Sequence, residues 1–295
     1  MIKFGTGGWR AIIGEEFTKE NIQKLALAMS LKIKAEHVED KPVVIGYDRR
    51  FLSKEAVIWS CEIFGQQGIK VLFVDRSSPT PLIMFYVMKH DLSYGMMVTA
   101  SHNPAIYNGI KVFTKGGRDA DEHQTADIER YLEQADKLYV PDLEENGQMP
   151  PHAYQELVKS GQVVEMNPMN EYLDNIISLI NLDAIRERDL RIAIDPMYGV
   201  SLTALCTILS IARCTVETIN AQHDTLFGGK MPAPTESTLR NLQNYVLDRY
   251  CDIGIATDGD ADRLGVIDDK GHYLHANTIL VMLYYYLLKY RGWRG

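Results

Sequence analysis

The chain predicts an α/β protein of two three-layer α/β/α domains with mostly parallel mixed sheets, followed by the start of a truncated third. Short apolar runs of four or five residues alternate with amphipathic stretches of ten or more, the pattern of strands joined by crossover helices. The alternation recurs at similar length on both sides of Tyr139–Pro151, a stretch rich in Pro, Glu, Asn and Gly. A chain of 295 residues can build two cores, and 46% apolar with 24% charged residues is ordinary for a folded globular protein. The expected boundaries are a first domain over 1–140, a connector over 141–168, a second domain over 169–268 and the third from 269 to 295.

Taken in order, Gly5-Thr6-Gly7-Gly8-Trp9-Arg10 reads as a flexible loop whose backbone can approach an anion. Thr18 caps a helix running to Lys34, with Ile22, Leu25, Leu27, Met29 and Ile33 among its apolar positions. Pro42–Gly46 is a strand ending in the loop Tyr47-Asp48-Arg49-Arg50, followed by a helix from Ser53 to Gly65 and a strand over Lys70–Val74. Ser78-Pro79-Thr80-Pro81 is a turn that launches the helix Leu82–Lys89. Gly95–Val98 is a short buried strand, Ile110–Phe113 with Gly116 and Gly117 is a hairpin-like return, and Asp121–Leu138 is a charged amphipathic helix.

The second half opens with a helix over Met169–Ile180 and continues with the strand Leu190–Asp195, the helix Ser201–Leu209 and the strand Thr215–Ile219. After the Phe227-Gly228-Gly229 loop, Thr235-Glu236-Ser237 is expected to cap a helix running through Asp248. Strands over 252–257 and 264–267 then flank an acidic loop. Beyond the turn Lys270-Gly271-His272 lies an apolar helix, Thr278–Tyr290, whose Tyr284, Tyr285 and Tyr286 read as packing between domains.

Two loops carry chemistry. Thr99-Ala100-Ser101-His102-Asn103-Pro104 follows a buried strand, where open α/β sheets place their sites. Ser101 is its one residue able to act as nucleophile or phosphoryl carrier, although a capping serine in a surface turn has the same sequence signature. Neighbours in an extended segment point to opposite sides, so no Ser101–His102 dyad is expected. Asp258-Gly259-Asp260-Ala261-Asp262-Arg263 places three carboxylates at every second residue, able to converge on one point. Left bare they repel; all-oxygen ligation suits Mg²⁺, Mn²⁺ or Ca²⁺ rather than zinc. An EF-hand is excluded, because the sixth position is Arg263 and strands flank the loop. A solvated acidic turn is the plain alternative. Arg263 suits an anion beside the cation.

A net charge of −8 argues against a nucleic-acid partner. The four cysteines are scattered and read as reduced thiols. The opening residues go straight into a glycine-rich turn, so no signal peptide is expected, and the longest apolar run, Ile279–Leu288, is too short for a bilayer span. A cytoplasmic protein without a membrane partner is expected; oligomeric state is not legible.

The two loops, with Phe4-Gly5-Thr6-Gly7-Gly8-Trp9-Arg10, Gly46-Tyr47-Asp48-Arg49-Arg50 and Tyr107-Asn108-Gly109-Ile110-Lys111 in the same order, resemble the α-D-phosphohexomutase superfamily. Gly7 and Ala11 depart mildly from its pattern, standing where serine and glycine are frequent. The resemblance implies interconversion of hexose 1-phosphate and hexose 6-phosphate, with glucose first, mannose second and glucosamine less favoured. It implies a phosphoserine at Ser101, a 1,6-bisphosphate intermediate, and glucose 1,6-bisphosphate as activator. It implies one Mg²⁺ held by Ser101, Asp258, Asp260 and Asp262. Lys111 would be the acid–base residue, with a pKa lowered by neighbouring cations, and His102 and Arg10 would join it in catalysis. Arg263, Arg50 and Asn103 would bind phosphate, and Asp48 with Arg50 would form a supporting ion pair. The family's sugar-gripping and distal-phosphate loops, in its third and fourth domains, find no match here, so a fragment with weak or no turnover is expected. The rivals are a metal-dependent phosphatase with an aspartate nucleophile and a non-catalytic sugar-phosphate-binding homologue.

Overall fold

The computed structural model describes residues 2–5, 7–139 and 153–294. The strands of the first part are β1 (Trp9–Ile12), β2 (Val43–Tyr47), β3 (Val71–Val74), β4 (Tyr94–Val98), β5 (Tyr107–Thr114), β6 (Arg118–Asp119) and β7 (Val163–Met166). They form one sheet in the order β1-β5-β4-β2-β3-β7, with β6 on β5. Its centre, β4-β2-β3-β7, is parallel, whereas β5 and β1 run antiparallel at one end. Alternate residues of the central strands serve opposite faces: Val43 and Ile45 join one apolar cluster, and Val44 joins the other. Helices α1 (Lys19–Ala35), α2 (Ser53–Gln66) and α4 (Glu122–Leu138) cover the first face through Leu25, Phe64 and Ile128. On the second face lie α3 (Thr80–Lys89) and α6 (Met169–Leu179), with Leu82, Ile83 and Met169 in the packing.

The remaining strands are β8 (Arg191–Asp195), β9 (Thr215–Thr218), β10 (Ile253–Thr257), β11 (Leu264–Asp268) and β12 (Tyr273–Leu274), in a sheet ordered β12-β11-β10-β8-β9. Here β9, β8 and β10 are parallel, and β11 and β12 return antiparallel. Helix α9 (Arg240–Arg249) packs Leu242 and Val246 against this sheet, and α8 (Leu202–Ile211) lies against β9 and α6. A short helix α7 (Leu182–Arg186) precedes β8, and α10 (Ala276–Lys289) follows β12 with most of its apolar side chains exposed.

Most expected elements are present within a residue or two, and Thr18 caps α1 by accepting from Asn21 N–H. Three expectations are corrected. Part of the expected connector belongs to the first domain, since α5 (Ala153–Ser160) packs on α2 and β7 extends the sheet beside β3. The rest of it, 141–152, falls outside the described residues. Trp9 and Arg10 lie on an edge strand rather than in a flexible loop, because β1 finds a partner in β5. Helix α9 starts at Arg240, since the hydroxyls of Thr235, Ser237 and Thr238 bond one another and nearby carbonyls instead of capping it.

Candidate active site

Strand β4 delivers the serine loop at the carboxyl end of the first sheet. The Asp48 carboxylate, at the end of β2, accepts from Thr99 Oγ1 at 2.6 Å, and Thr99 Oγ1 in turn accepts from Ser101 N–H at 2.8 Å. These bonds hold Ser101 in a left-handed turn, φ 52°. Such a backbone is uncommon for a non-glycine residue and marks a position over-determined by its surroundings. Ser101 is 1% exposed, and its Oγ donates to Asp258 Oδ2 at 2.7 Å, from the other sheet. The turn also brings His102 Nδ1 to 3.3 Å from Ser101 Oγ. The two side chains therefore do not point to opposite sides, because the chain turns where extended backbone was expected; with the Ser101 proton given to Asp258, the contact is still no serine–histidine dyad. Burial first, then the charges of Arg263 and Arg10, lower the His102 pKa, which favours a neutral imidazole.

The acidic loop sits between β10 and β11. Ala261 takes a left-handed φ of 61°, and Asp258 Oδ1 accepts from the N–H groups of Asp262 and Arg263 at 3.0 Å each. Asp260 Oδ2 accepts from Thr80 Oγ1 at 2.6 Å and from Lys111 Nζ at 2.7 Å, and Lys111 Nζ reaches Asp262 Oδ2 at 2.5 Å. Burial, with Asp260 and Asp262 nearby, pushes the Asp258 carboxyl up to about 8. Burial acts on Asp260 in the same direction, but Lys111 and Thr80 outweigh it and hold that carboxyl below its ordinary value. For Lys111, burial pulls downward and the carboxylates of Asp260 and Asp262 overcome it, so its pKa is raised. That reverses the expectation of a lysine lowered by cations: its nearest charges are anions.

These residues fit a hard divalent cation. One oxygen from each of Asp258, Asp260 and Asp262 lies within 4.8 Å of the others. Asp260 Oδ1 is buried and has no hydrogen-bond partner among the described residues, so its lone pairs are left for a ligand.

The other expected residues divide. Arg10 Nη1 donates to Asn103 Oδ1 at 3.2 Å, and its buried Nε has no partner among the described residues, a donor open to an anion. Asn103 thus orients Arg10. Arg263 is exposed at the rim of the acidic loop. Arg50 is corrected from phosphate binder to scaffold. Its Nη1 donates to Pro104 and Tyr107 O at 2.9 Å and its Nη2 to Ser101 and Asn103 O at 2.7 Å. The expected Asp48–Arg50 pair is present, with Arg50 Nε 3.3 Å from Asp48 Oδ2, too poorly aligned for a hydrogen bond. Sequence reasoning gave no role to Thr80, Arg49 or Phe227. Thr80 binds Asp260 by its side chain and also by its N–H at 2.9 Å to Asp260 O. The Pro-flanked turn that starts α3 is the sequence signal that places it there.

Residues 1–139 match phosphoglucomutase/phosphomannomutase, alpha/beta/alpha domain I, and residues 170–271 match domain II of the same family. The chain belongs to the α-D-phosphohexomutase superfamily. It is 32% identical over 292 residues to a "Probable phosphoglucosamine mutase" of Pyrococcus abyssi, covering 98% of this chain and 58% of the relative. A phosphoglucomutase/phosphomannomutase of Thermococcus kodakarensis is 28% identical over 292 residues, with 98% of this chain and 60% of the relative covered. A Thermus thermophilus structure described as a "putative phosphomannomutase" superposes with TM-score 0.85 at 26% identity, over 100% of this chain and 63% of that one. The chain thus spans 58% to 60% of the length of the first two relatives. Among the described residues, no helix is long and apolar enough to cross a membrane.

Proposed function

We propose that this superfamily member moves a phosphoryl group between a hexose phosphate and Ser101. The observation that carries the reading is the 2.7 Å bond from Ser101 Oγ to Asp258 Oδ2, which joins residues 157 positions apart across the seam of two sheets. In the forward step, the P–O bond to Ser101 Oγ breaks as a bond forms to the free sugar hydroxyl, giving a hexose 1,6-bisphosphate. The bisphosphate then reverses in the site and returns its other phosphoryl to Ser101. Arg10 and Arg263 bind phosphoryl oxygens, Asn103 aims Arg10, and the protonated Lys111 donates to Ser101 Oγ as it leaves and regains the proton given up by the attacking sugar hydroxyl. Asp258, Asp260 and Asp262, with an oxygen on Ser101, would hold a Mg²⁺ ion, which would supply charge stabilisation for the transferring group. His102 orients the Ser101 hydroxyl.

Glucose phosphate and mannose phosphate remain the proposed substrates, and the relatives' names bring glucosamine phosphate up beside them. Because the chain spans little more than half of those relatives, full turnover by these residues alone is proposed to be weak. An aspartate nucleophile is disfavoured at Asp258, whose Oδ1 accepts from two backbone N–H groups and whose Oδ2 accepts from Ser101. Intact mass spectrometry after incubation with glucose 1,6-bisphosphate and Mg²⁺ tests the reading. Wild type should gain one phosphoryl group and Ser101→Ala none. Phosphate retained in Ser101→Ala and lost in Asp258→Asn would favour the phosphatase chemistry instead, and binding without any transfer would leave a sugar-phosphate binder.

A further inference from the structure

We propose that Arg50, seated on Phe227 of the second domain, is a positioning residue that sets the Ser101 turn and makes its geometry depend on domain closure. The inference rests on the function proposed above. Arg50 is 3% exposed, and its four Nη bonds all go to carbonyls of the serine loop or of Tyr107 just after it. Four carbonyls converging in this way require a planar fork of donors. A lysine ammonium has the charge but neither the number nor the direction of donors. The bonds therefore define the curvature of the segment in which Ser101 takes its left-handed φ.

The face of that guanidinium is covered from the other domain. Arg50 Cζ lies 4.9 Å from the centroid of the Phe227 ring, a cation–π contact in a dry setting. Phe227 is 1% exposed and itself left-handed, φ 52°, in a short 3₁₀ turn. Asp224 sustains that turn by accepting from the N–H groups of Leu226 and Gly228 at 2.9 Å. The preceding residue supplies the second half of the lever: Arg49 Nη1 donates to the carbonyls of Tyr198, Ala221 and Gln222 at 3.2 to 3.3 Å. Adjacent arginines on one short loop thus grip the second domain with one side chain and the reacting loop with the other. Displacing the second domain draws on Arg49 and uncovers Arg50 together.

The test follows phosphoryl uptake by Ser101 from glucose 1,6-bisphosphate, by quenched intact mass at varied bisphosphate concentration. Amide hydrogen exchange over residues 99–108 is measured in parallel. Arg50→Lys should lower the limiting rate about 100-fold while leaving the half-saturating concentration within about twofold, as expected for misplaced reacting atoms. Phe227→Leu should lower it about tenfold. Both Arg50→Lys and Phe227→Leu should speed exchange in 99–108 and leave the protection of β2 and β4 intact. A wild-type limiting rate or unchanged loop exchange in either variant overturns the proposal, as does exchange that rises throughout the first sheet. If wild type takes up no phosphoryl group, the proposed function falls, and the exchange result still decides whether Arg50 and Phe227 hold the loop.

Discussion

Gly259→Ala is the sharpest probe of how closely the two reacting loops must approach. A Cβ on Gly259 would stand 3.0 Å from the Ser101 carbonyl oxygen and 3.3 Å from a ring carbon of Phe227. Neither neighbour is free to move, since the Ser101 carbonyl accepts from Arg50 at 2.7 Å and Phe227 is buried. Gly259 itself is not in the left-handed region, so the penalty is steric rather than conformational. Overpacking of this kind costs about 1–3 kcal/mol. The larger effect is on rate: a misplacement of about 1 Å can cost about 100-fold, so a shift of a few tenths of an ångström should cost about three- to tenfold. Urea midpoints and the limiting rate of Ser101 phosphorylation would be measured together. Gly14→Ala is the control, because Gly14 has φ 86° with nothing within 4 Å of its would-be Cβ. That variant should lose about 1 kcal/mol from backbone strain and keep the wild-type rate. Equal rates in Gly259→Ala and wild type would refute the claim that this contact sets the geometry.

The remaining predictions concern charge. The Asp258 carboxyl, ordinarily at 3.8 and raised to about 8, stays protonated in the fold where the unfolded chain has already ionised. Stability in chelator should therefore fall by up to about 1.4 kcal/mol per pH unit across that interval and level off above it. Asp258→Asn should flatten the slope while weakening Mg²⁺ binding, measured by urea midpoints over pH and by calorimetry; an unchanged slope would assign the titration elsewhere. Lys111→Met leaves Asp260, which is 0% exposed, without its cation, and breaking such a buried pair costs about 3–5 kcal/mol. Because the Lys111 pKa is raised, the pair's contribution persists below its ordinary value of 10.5 and is lost only as pH climbs through the raised one. Thermal melts of Lys111→Met should thus show a constant deficit at neutral pH, partly recovered by excess Mg²⁺. Arg49→Met removes a donor shared by three carbonyls and should speed amide exchange around Tyr198 and Gln222 without touching β2; exchange unchanged there would mean the arginine does not clamp the seam.

What was legible in the residues was whatever depends on local pattern. Strands buried on both faces read as unbroken apolar runs, as in Val43–Ile45 and Met96–Val98, and helices showed their spacing and caps. The aspartate trio was legible because alternate spacing is itself the chemistry of convergence. Decisions taken at long range were not. Trp9–Ile12 becomes a strand only because β5 offers an edge, and Val163–Met166 is a four-residue run interrupted by Glu165 that becomes a strand where β3 accepts it. The Ser101–His102 contact depended on one backbone dihedral, and no side-chain pattern reports a φ. Arg50 was a phosphate-binding expectation through the family resemblance alone; its four carbonyl partners come from a loop 51 to 57 residues away, which no local pattern reports.

The arrangement of partners explains why the site lies on a seam rather than within one domain. Two buried carboxylates, Asp258 and Asp260, with the exposed Asp262 beside them, cannot be held together in one loop without compensation. Within the protein, that compensation comes from the first domain, through Thr80 at the start of α3, Ser101 after β4 and Lys111 on β5. Each side chain reaches across to an oxygen of the trio, so the second domain's charges are satisfied only when the first domain is in place. An open seam would leave Asp258 and Asp260 without these partners. In the closed arrangement Ser101 is buried against Asp258, and the electrostatic demand of the acidic loop favours the arrangement that surrounds Ser101.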